Sequence, residues 1–339
     1  MQKIKTLPPP HLQKKKPCMD NTLEYWHFID ENMNKRVPVM LMYVLESIGS
    51  SPGRQGFYMA VNALGEMKGS VGGGIMEHKF VETAKEKLAK ETAHISLHRQ
   101  VHNKEAPKNQ SGMICSGEQT ILLYIMQQQD AVHVKNIIDC LQQHSTGCLS
   151  FSPAGMTFNK QAPAQRYLFK RPAENEWLYQ EQTGYKDHLY IIGAGHCGRA
   201  LSKLMQGMDF YVHLYEERGD LNTFQENDFV HEKKILGSYD ETGNYVKEGA
   251  NSYVVVMTSG YRTDDIVIRA LLYKKFRYLG VLGSTQKIDK LFSDYRAEGI
   301  EQGILNGIHA PVGLPIKSRT PNEIAISIAA QIIEEKNRV

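Results

Sequence analysis

Apolar and polar positions follow two different rhythms along this chain, and the rhythm changes a little past its middle. In the first half, Val37 to Ile48 is an almost unbroken apolar run rich in β-formers. It is too continuous for a strand with one wet face, so it predicts a strand buried on both sides. Trp26 to Asn34 predicts a short helix before it, and Gly49-Ser50-Ser51-Pro52-Gly53 ends it with turn chemistry. Phe57–Val61 and Glu66–Val71 predict a hairpin around Asn62–Gly65. Met76, Phe80, Val81, Ala84 and Leu88 then fall on one helical face. Residues 93–103 read as a strand, 104–112 as an exposed loop, and Thr120–Met126 as a strand. Asp130–His144 reads as a helix, and Cys148–Phe158 and Tyr167–Lys170 as strands. Residues 171–187 are polar and weakly patterned, which predicts a linker.

From Leu189 on, strands and helices alternate. Strands are expected at Leu189–Ile192, Tyr211–Tyr215, Val230–Ile235, Tyr253–Met257 and Tyr278–Leu282. Helices are expected at 196–206, near 241–248, and at 264–275 and 285–297. This is the rhythm of an open parallel sheet. Thr320-Pro321-Asn322-Glu323 is a capping box with Pro at the first helical position, and it starts a last helix.

The first strand of this half runs into Gly193, Gly195 and Gly198, spaced G-x-G-x-x-G, and the second ends on Glu216, 23 residues after Gly193. Gly193 suits a tight turn, Gly195 a close approach to pyrophosphate, and Gly198 tight helix–strand packing. The amides at the helix N-terminus attract anions, and Glu216 could accept from a ribose hydroxyl. The same glycines would also serve a doubly wound fold whose nucleotide has been lost. The expected architecture is therefore α/β: a C-terminal Rossmann-like doubly wound parallel sheet behind an N-terminal α+β domain. The expected divisions are a loose tail at 1–20, a first domain at 21–170, a linker at 171–187 and the Rossmann-like domain at 188–339.

Length supports two domains, since the chain has 339 residues. Its 41% hydrophobic and 23% charged residues are ordinary for a globular protein. A net charge of +3 argues against a dedicated nucleic-acid binder. Lys14-Lys15-Lys16 lies in a tail with Pro8-Pro9-Pro10, and neither a secretory leader nor a membrane span is expected. Five scattered cysteines without a C-x-x-C pair fit a reducing cytoplasm and no structural zinc site.

Further candidate chemistry sits in loops. Gly72-Gly73-Gly74 feeds a helix whose first turn carries Glu77. Three glycines there suit backbone approach to an anion. Glu77 either offsets the helix dipole or faces the ligand. Cys115, at a loop–strand junction, is either a small buried hydrophobe or a soft ligand or sulfur acceptor. Two loops at strand ends, Thr258–Asp264 and Gly283-Ser284 with Lys287, are expected on the ligand side of the sheet. His196 and His309 could face the same crevice. No metal-ligand pair or nucleophile elbow is present, so no catalytic residue is named.

In order along both halves, these loops resemble the XdhC/CoxI family, the xanthine dehydrogenase accessory factors. The matching stretches are Gly49-Ser-Ser-Pro52, Gly69-Ser-Val-Gly-Gly-Gly-Ile-Met-Glu77, Cys115-Ser-Gly117, Gly193-Ala-Gly-His-Cys-Gly-Arg-Ala-Leu201, Glu216-Glu-Arg218, Gly280 with Gly283-Ser284 and Lys287, His309-Ala-Pro311 with Gly313, and Thr320-Pro-Asn-Glu-Ile-Ala325. The resemblance implies a protein that binds molybdenum cofactor, helps sulfurate it with a cysteine desulfurase, and delivers it to a xanthine dehydrogenase-type hydroxylase. It also implies a homodimer. The triple-glycine loop, Glu77 and Cys115 would handle the cofactor, and the C-terminal crevice would hold a nucleotide or the cofactor's phosphate end. Three positions depart from the family pattern: Ser116 replaces a glycine, Ser259 a histidine and Glu216 an aspartate. The alternative is an NAD(P)-dependent oxidoreductase, which would prefer NAD because Glu216 would repel a 2′-phosphate.

Overall fold

The computed structural model describes residues 20–90, 94–101 and 117–338, so most of the expected tail, the 104–112 loop and Cys115 lie outside the described residues. Helix α1 (Asp20–Asn34) is longer than its apolar positions foretell and leads into β1 (Val39–Ile48). β1 is buried on both faces, as its continuous apolar run predicts. Leu41, Tyr43 and Leu45 join one core with Trp26 and Ile29 of α1, while Met40, Met42 and Val44 join another with Phe80 and Ala84. β2 (Tyr58–Asn62) and β3 (Met67–Ser70) form the expected hairpin, followed by α2 (Gly74–Lys90), β4 (Ile95–Val101), β5 (Glu118–Ile125) and α3 (Ala131–Gln142). The antiparallel sheet order is β3-β2-β1-β5-β4.

Two expectations fail in the next stretch. The single strand foreseen at Cys148–Phe158 is a hairpin, β6 (Gly147–Ser152) and β7 (Gly155–Asn159), turned where Gly155 takes φ +117°. The foreseen linker at 171–187 is largely sheet: β8 (Tyr167–Ala173) pairs with β9 (Glu176–Thr183), giving the order β7-β6-β9-β8. β9 does alternate, burying Trp177, Tyr179, Glu181 and Thr183, but two of those four inward positions are polar. That hides the period of two from an apolar count. Residues 184–186 are what remains between the last strand of this unit and the next sheet.

The second half contains β10 (Asp187–Ile192), α4 (His196–Met205), β11 (Phe210–Glu216), α5 (Asn222–Gln225), β12 (Glu232–Ile235), α6 (Thr242–Tyr245), β13 (Gly249–Val256), α7 (Tyr261–Leu271), β14 (Phe276–Val281), α8 (Thr285–Ala297), α9 (Gln302–Asn306) and α10 (Pro321–Asn337). All five strands are parallel in the order β12-β11-β10-β13-β14, the 3-2-1-4-5 order of a doubly wound dinucleotide fold. A single parallel bridge from Gly280 to His309 stands in the sixth place. Leu189, Ile191 and Val255 pack with α4 and α10, while Ile192, Val254 and Val256 pack with α7 and α8. The foreseen helix near 241–248 shrinks to one turn, and α7 starts three residues early. The last helix starts as predicted: Thr320 Oγ1 accepts from the Glu323 amide, and Glu323 accepts from the Thr320 amide at 3.1 Å. Among the described residues no helix is long and apolar enough to cross a membrane.

The first unit meets this sheet at its amino-terminal rim. His144, just past α3, packs on Tyr185, Tyr211 and His231, and Arg166 pairs with the buried Asp187.

Candidate functional site

Ligands of a doubly wound sheet bind beyond the carboxyl ends of its strands, where the strand order reverses. Here that point lies between β10 and β13. Gly193 takes φ +109°, and a Cβ on it would lie 2.3 Å from the Met257 carbonyl oxygen. On Gly198 a Cβ would lie 2.5 Å from the Gly193 carbonyl oxygen. Both glycines thus have the turning and packing jobs their spacing predicts. Gly195 differs: nothing lies within 4 Å of where its Cβ would be, and the same holds for Gly260 across the crevice. Their bareness serves no neighbour among the described residues. The first helical amide of α4 with a main-chain partner is that of Arg199, which donates to Gly195 at 3.0 Å. Among the described residues the amides of His196, Cys197 and Gly198 have none, and the His196 side chain is exposed. Three free amides at the start of a helix form an anion seat.

Glu216 does not act as foreseen. Its carboxylate is fully buried and accepts from Ala194 N at 2.8 Å, Arg218 Nε at 3.0 Å, Tyr239 Oη at 2.7 Å, and the amides of Glu217 and Arg218 at 3.1 Å each. Burial pushes this carboxyl up, but Arg218 and the converging donors outweigh it and hold it below its usual range. A ribose hydroxyl would find this carboxylate already occupied. It pins the glycine loop to β11 instead.

Gly283 and Ser284 also turn out differently. Ser284 Oγ caps α8 by accepting from the Lys287 amide, and a Cβ on Gly283 would meet Lys287 Cδ at 2.9 Å. The glycine therefore makes room for the lysine. Lys287 is paired with Asp264, which is fully buried and also accepts from Thr258 N at 3.0 Å. Lys287 Nζ donates to Leu282 O at 3.0 Å as well, so its charge is spent inside the fold. Asp264 and Lys287 were each legible in a candidate loop; that they pair with one another, 23 positions apart, was not.

In the first half, Gly72, Gly73 and Gly74 all take positive φ, at +133°, +72° and +72°. The anion they hold is the protein's own. Glu77 Oε2 accepts from Val71 N at 3.1 Å, Gly73 N at 3.0 Å and Ser70 Oγ at 2.6 Å. Of the two readings of Glu77, the one that serves the loop and helix start prevails. A Cβ on Gly72 would lie 2.7 Å from Gly53 N, and one on Gly117 would lie 2.6 Å from Ser50, so two more segments pack backbone to backbone beside this loop. Cys115 itself lies outside the described residues.

The candidate residues are not gathered at one place. His309 turns its ring onto Tyr278 at 4.6 Å, with Glu335 of α10 at 3.9 Å, although its main chain bonds Val281 at the end of β14. A cleft beside Gly69 and Ser70 reaches Lys186 and Asp209, which precede β10 and β11. Gly193 leaves the opposite end of β10, six residues on, about 20 Å away at the rise of a strand. Sequence reasoning missed an aromatic and histidine layer at the amino rim. His188 Nδ1 meets His213 Nε2 at 3.1 Å, His213 Nδ1 meets Glu232 at 3.1 Å, and Tyr185 Oη meets His231 Nε2 at 2.6 Å. Its signal was period two: His188 and Tyr190 on one strand, Tyr211, His213 and Tyr215 on the next. Among the described residues, no group of three or more His, Cys, Asp or Glu side chains could hold a metal.

Comparison with known proteins covers both halves. A family model described as the XdhC Rossmann domain matches residues 189–332, and one described as the XdhC and CoxI family matches residues 33–99. Over 303 residues the chain is 23% identical to the uncharacterized protein YqeB of Escherichia coli (strain K12), covering 88% of this chain and 44% of that protein. Over 85 residues it is 34% identical to a probable xanthine dehydrogenase subunit of Bacillus subtilis (strain 168), covering 25% of this chain and 24% of that protein. The chain thus spans less than half the length of either curated relative. A crystal structure from Bacillus halodurans described as a xanthine dehydrogenase superposes with a TM-score of 0.68 at 20% identity, covering 92% of this chain and 95% of that one. This likeness establishes a shared fold.

Proposed function

Because this chain belongs to the XdhC and CoxI family, we propose that it is an accessory factor of a xanthine dehydrogenase-type molybdenum enzyme and carries molybdenum cofactor for it. The observation that carries the reading is the anion seat at the switch point. The His196, Cys197 and Gly198 amides are free, and Gly195 and Gly260 leave the approach open. A phosphate-bearing end fits such a seat, since helix amides and the helix dipole favour negative charge. In this reading the α4 amides would hold the cofactor's phosphate, with Gly195 and Gly260 leaving room beside them. Sulfuration by a cysteine desulfurase belongs to the same reading, with Cys115 as the sulfur-handling candidate. The triple-glycine loop is left out of the grip, because Glu77 fills it.

The oxidoreductase alternative is weaker on one specific point: the Glu216 carboxylate that would read a ribose is committed to Ala194, Arg218 and Tyr239. Co-purification tests the proposal. The full chain, expressed in a host that makes the cofactor, should retain a pterin that is extractable and fluorescent after oxidation, and should pass it to an apo-hydroxylase. Gly195→Asp has open space for its side chain and sets a negative charge against the seat. It should lower retention at least tenfold with the melting temperature unchanged. Failure of the wild-type chain to retain or transfer cofactor refutes the reading. Saturable NADH binding with substrate-dependent oxidation would favour the alternative.

A further inference from the structure

A cleft of about 550 Å³ lies on the far side of the molecule from the anion seat, between the two halves. Trp26, Tyr43, Tyr58 and Tyr167 line it, and Phe57 stands at its mouth, 43% exposed. Three features mark it as built rather than left over. First, Tyr43 is 3% exposed, lines the cleft, and has no hydrogen-bond partner for its hydroxyl among the described residues. Burial and the Glu181 carboxylate push this phenol well above its usual range, so it stays a neutral donor. The hydroxyl itself is not sealed off from the cleft, so it can donate to an occupant there.

Second, Lys186 and Glu181 form a mostly buried ion pair in the wall at 2.9 Å. Lys186 also donates to Tyr167 Oη at 2.7 Å and sits 4.2 Å over the Tyr167 ring. Burial alone would pull this ammonium down, but Glu181 and Tyr167 more than offset that. Tyr179 Oη satisfies the second oxygen of Glu181 at 2.9 Å. Third, Gly56 takes φ +87°, and a Cβ on it would lie 2.7 Å from the Tyr167 ring, so a bare residue keeps that ring against the wall.

Charge decides what such a cleft can take. Its lining carries three carboxylates, Glu24, Glu181 and Asp209, against two ammonium groups, Lys68 and Lys186. Both ammonium groups are already paired, Lys68 with Glu24 at 3.1 Å and Lys186 with Glu181. Among the described residues of this lining a phosphate would find no free cation and an excess of negative charge. Aromatic faces and neutral hydroxyls instead suit a flat ring that stacks and hydrogen-bonds.

We infer that this cleft is a binding site for an uncharged planar nitrogen heterocycle of two fused rings, held by aromatic stacking and by the Tyr43 hydroxyl. Because the rings come from the first half, Lys186 from the connection and Asp209 from the second half, an occupant bridges the two units. The inference is independent of the accessory-factor reading, whose seat is anionic and lies at the opposite rim.

Calorimetric titration of the full chain with adenine, hypoxanthine and a neutral pteridine tests it. At least one should bind saturably. Bound base should be displaced at least tenfold less effectively by adenosine 5′-monophosphate than by free base. Tyr43→Phe, which removes one oxygen, and Phe57→Ala, at an exposed rim position, should each weaken binding about tenfold while leaving thermal unfolding of the chain in place. The inference is overturned if none of the three bases binds, if the monophosphate displaces as well as the base, or if both variants bind as wild type does. Cofactor retention is read separately, so either result can stand without the other.

Discussion

The histidine layer at the amino rim makes stability depend on pH in a calculable way. His213 is pushed down to about 3 and His231 to about 4. Burial is the first cause in both, and neighbouring histidines add to it. The geometry explains why. The Val212 amide donates to His231 Nδ1 at 2.9 Å, so that nitrogen is bare and protonating it would set two donors face to face. His213 is wedged between His188 and Glu232, and its ring stacks on Tyr190 at 4.2 Å. The Glu232 carboxylate favours the charged form, but it is 42% exposed, while His213 is buried and also faces His188, His231 and Lys247. Burial prevails.

In the unfolded chain each ring titrates near 6.5. The folded values are lower, so below pH 6.5 the unfolded state binds more protons. The stabilisation is full above that value and is lost as pH falls towards the folded values. For His213 the loss by pH 5 is about 2 kcal/mol, with a slope near pH 5.5 of about 1.2 kcal/mol per pH unit. The partly exposed His231 adds a similar amount at most, reduced by solvent screening. Urea unfolding followed by far-ultraviolet circular dichroism from pH 7.5 to 5 measures this slope. His213→Gln should flatten it by about 1 kcal/mol per pH unit, whatever it does to stability at pH 7.5. A slope that His213→Gln leaves unchanged refutes the reasoning.

Other predictions concern the loops. Glu77→Ala strips the Val71 and Gly73 amides and the Ser70 hydroxyl of their acceptor and should cost about 1–2 kcal/mol in urea unfolding. Lys287→Met leaves Asp264 buried beside Thr258 without its cation and should cost about 3 kcal/mol; adding Asp264→Leu should recover part of that in the same assay. Gly193→Ala sets a Cβ 2.3 Å from Met257 O at φ +109° and should lower the melting temperature by more than 10 °C, or prevent folding. Gly195→Ala, with open space, should leave it within about 2 °C.

The second half was legible because each of its signals is local. Alternating strands and helices, the spacing of Gly193 and Gly198, and the capping box at Thr320 are set by neighbouring residues, and the parallel sheet follows from them. The strand β1 was legible for a similar reason: burial on both faces leaves an unbroken apolar run. The hairpin β8–β9 was not, because Glu181 and Thr183 are polar yet face inward, and Glu181 finds its partner Lys186 only in the fold. The loop glycines were found as loops, but their occupants were misread. Whether an amide cradle waits for a guest or holds a carboxylate of the chain depends on where Glu77 and Glu216 point, and sequence spacing does not record that.

β1 is wedged between the Trp26 layer and the Phe80 layer, with seven consecutive buried residues, Val39 to Leu45. Its neighbour β5 is shared in the same way, giving Leu122 and Tyr124 to one layer and Ile121 and Leu123 to the other. Neither layer can loosen without exposing the back of the other. The first unit should therefore come apart in one cooperative step, its central amides exchanging with deuterium together and only through that step.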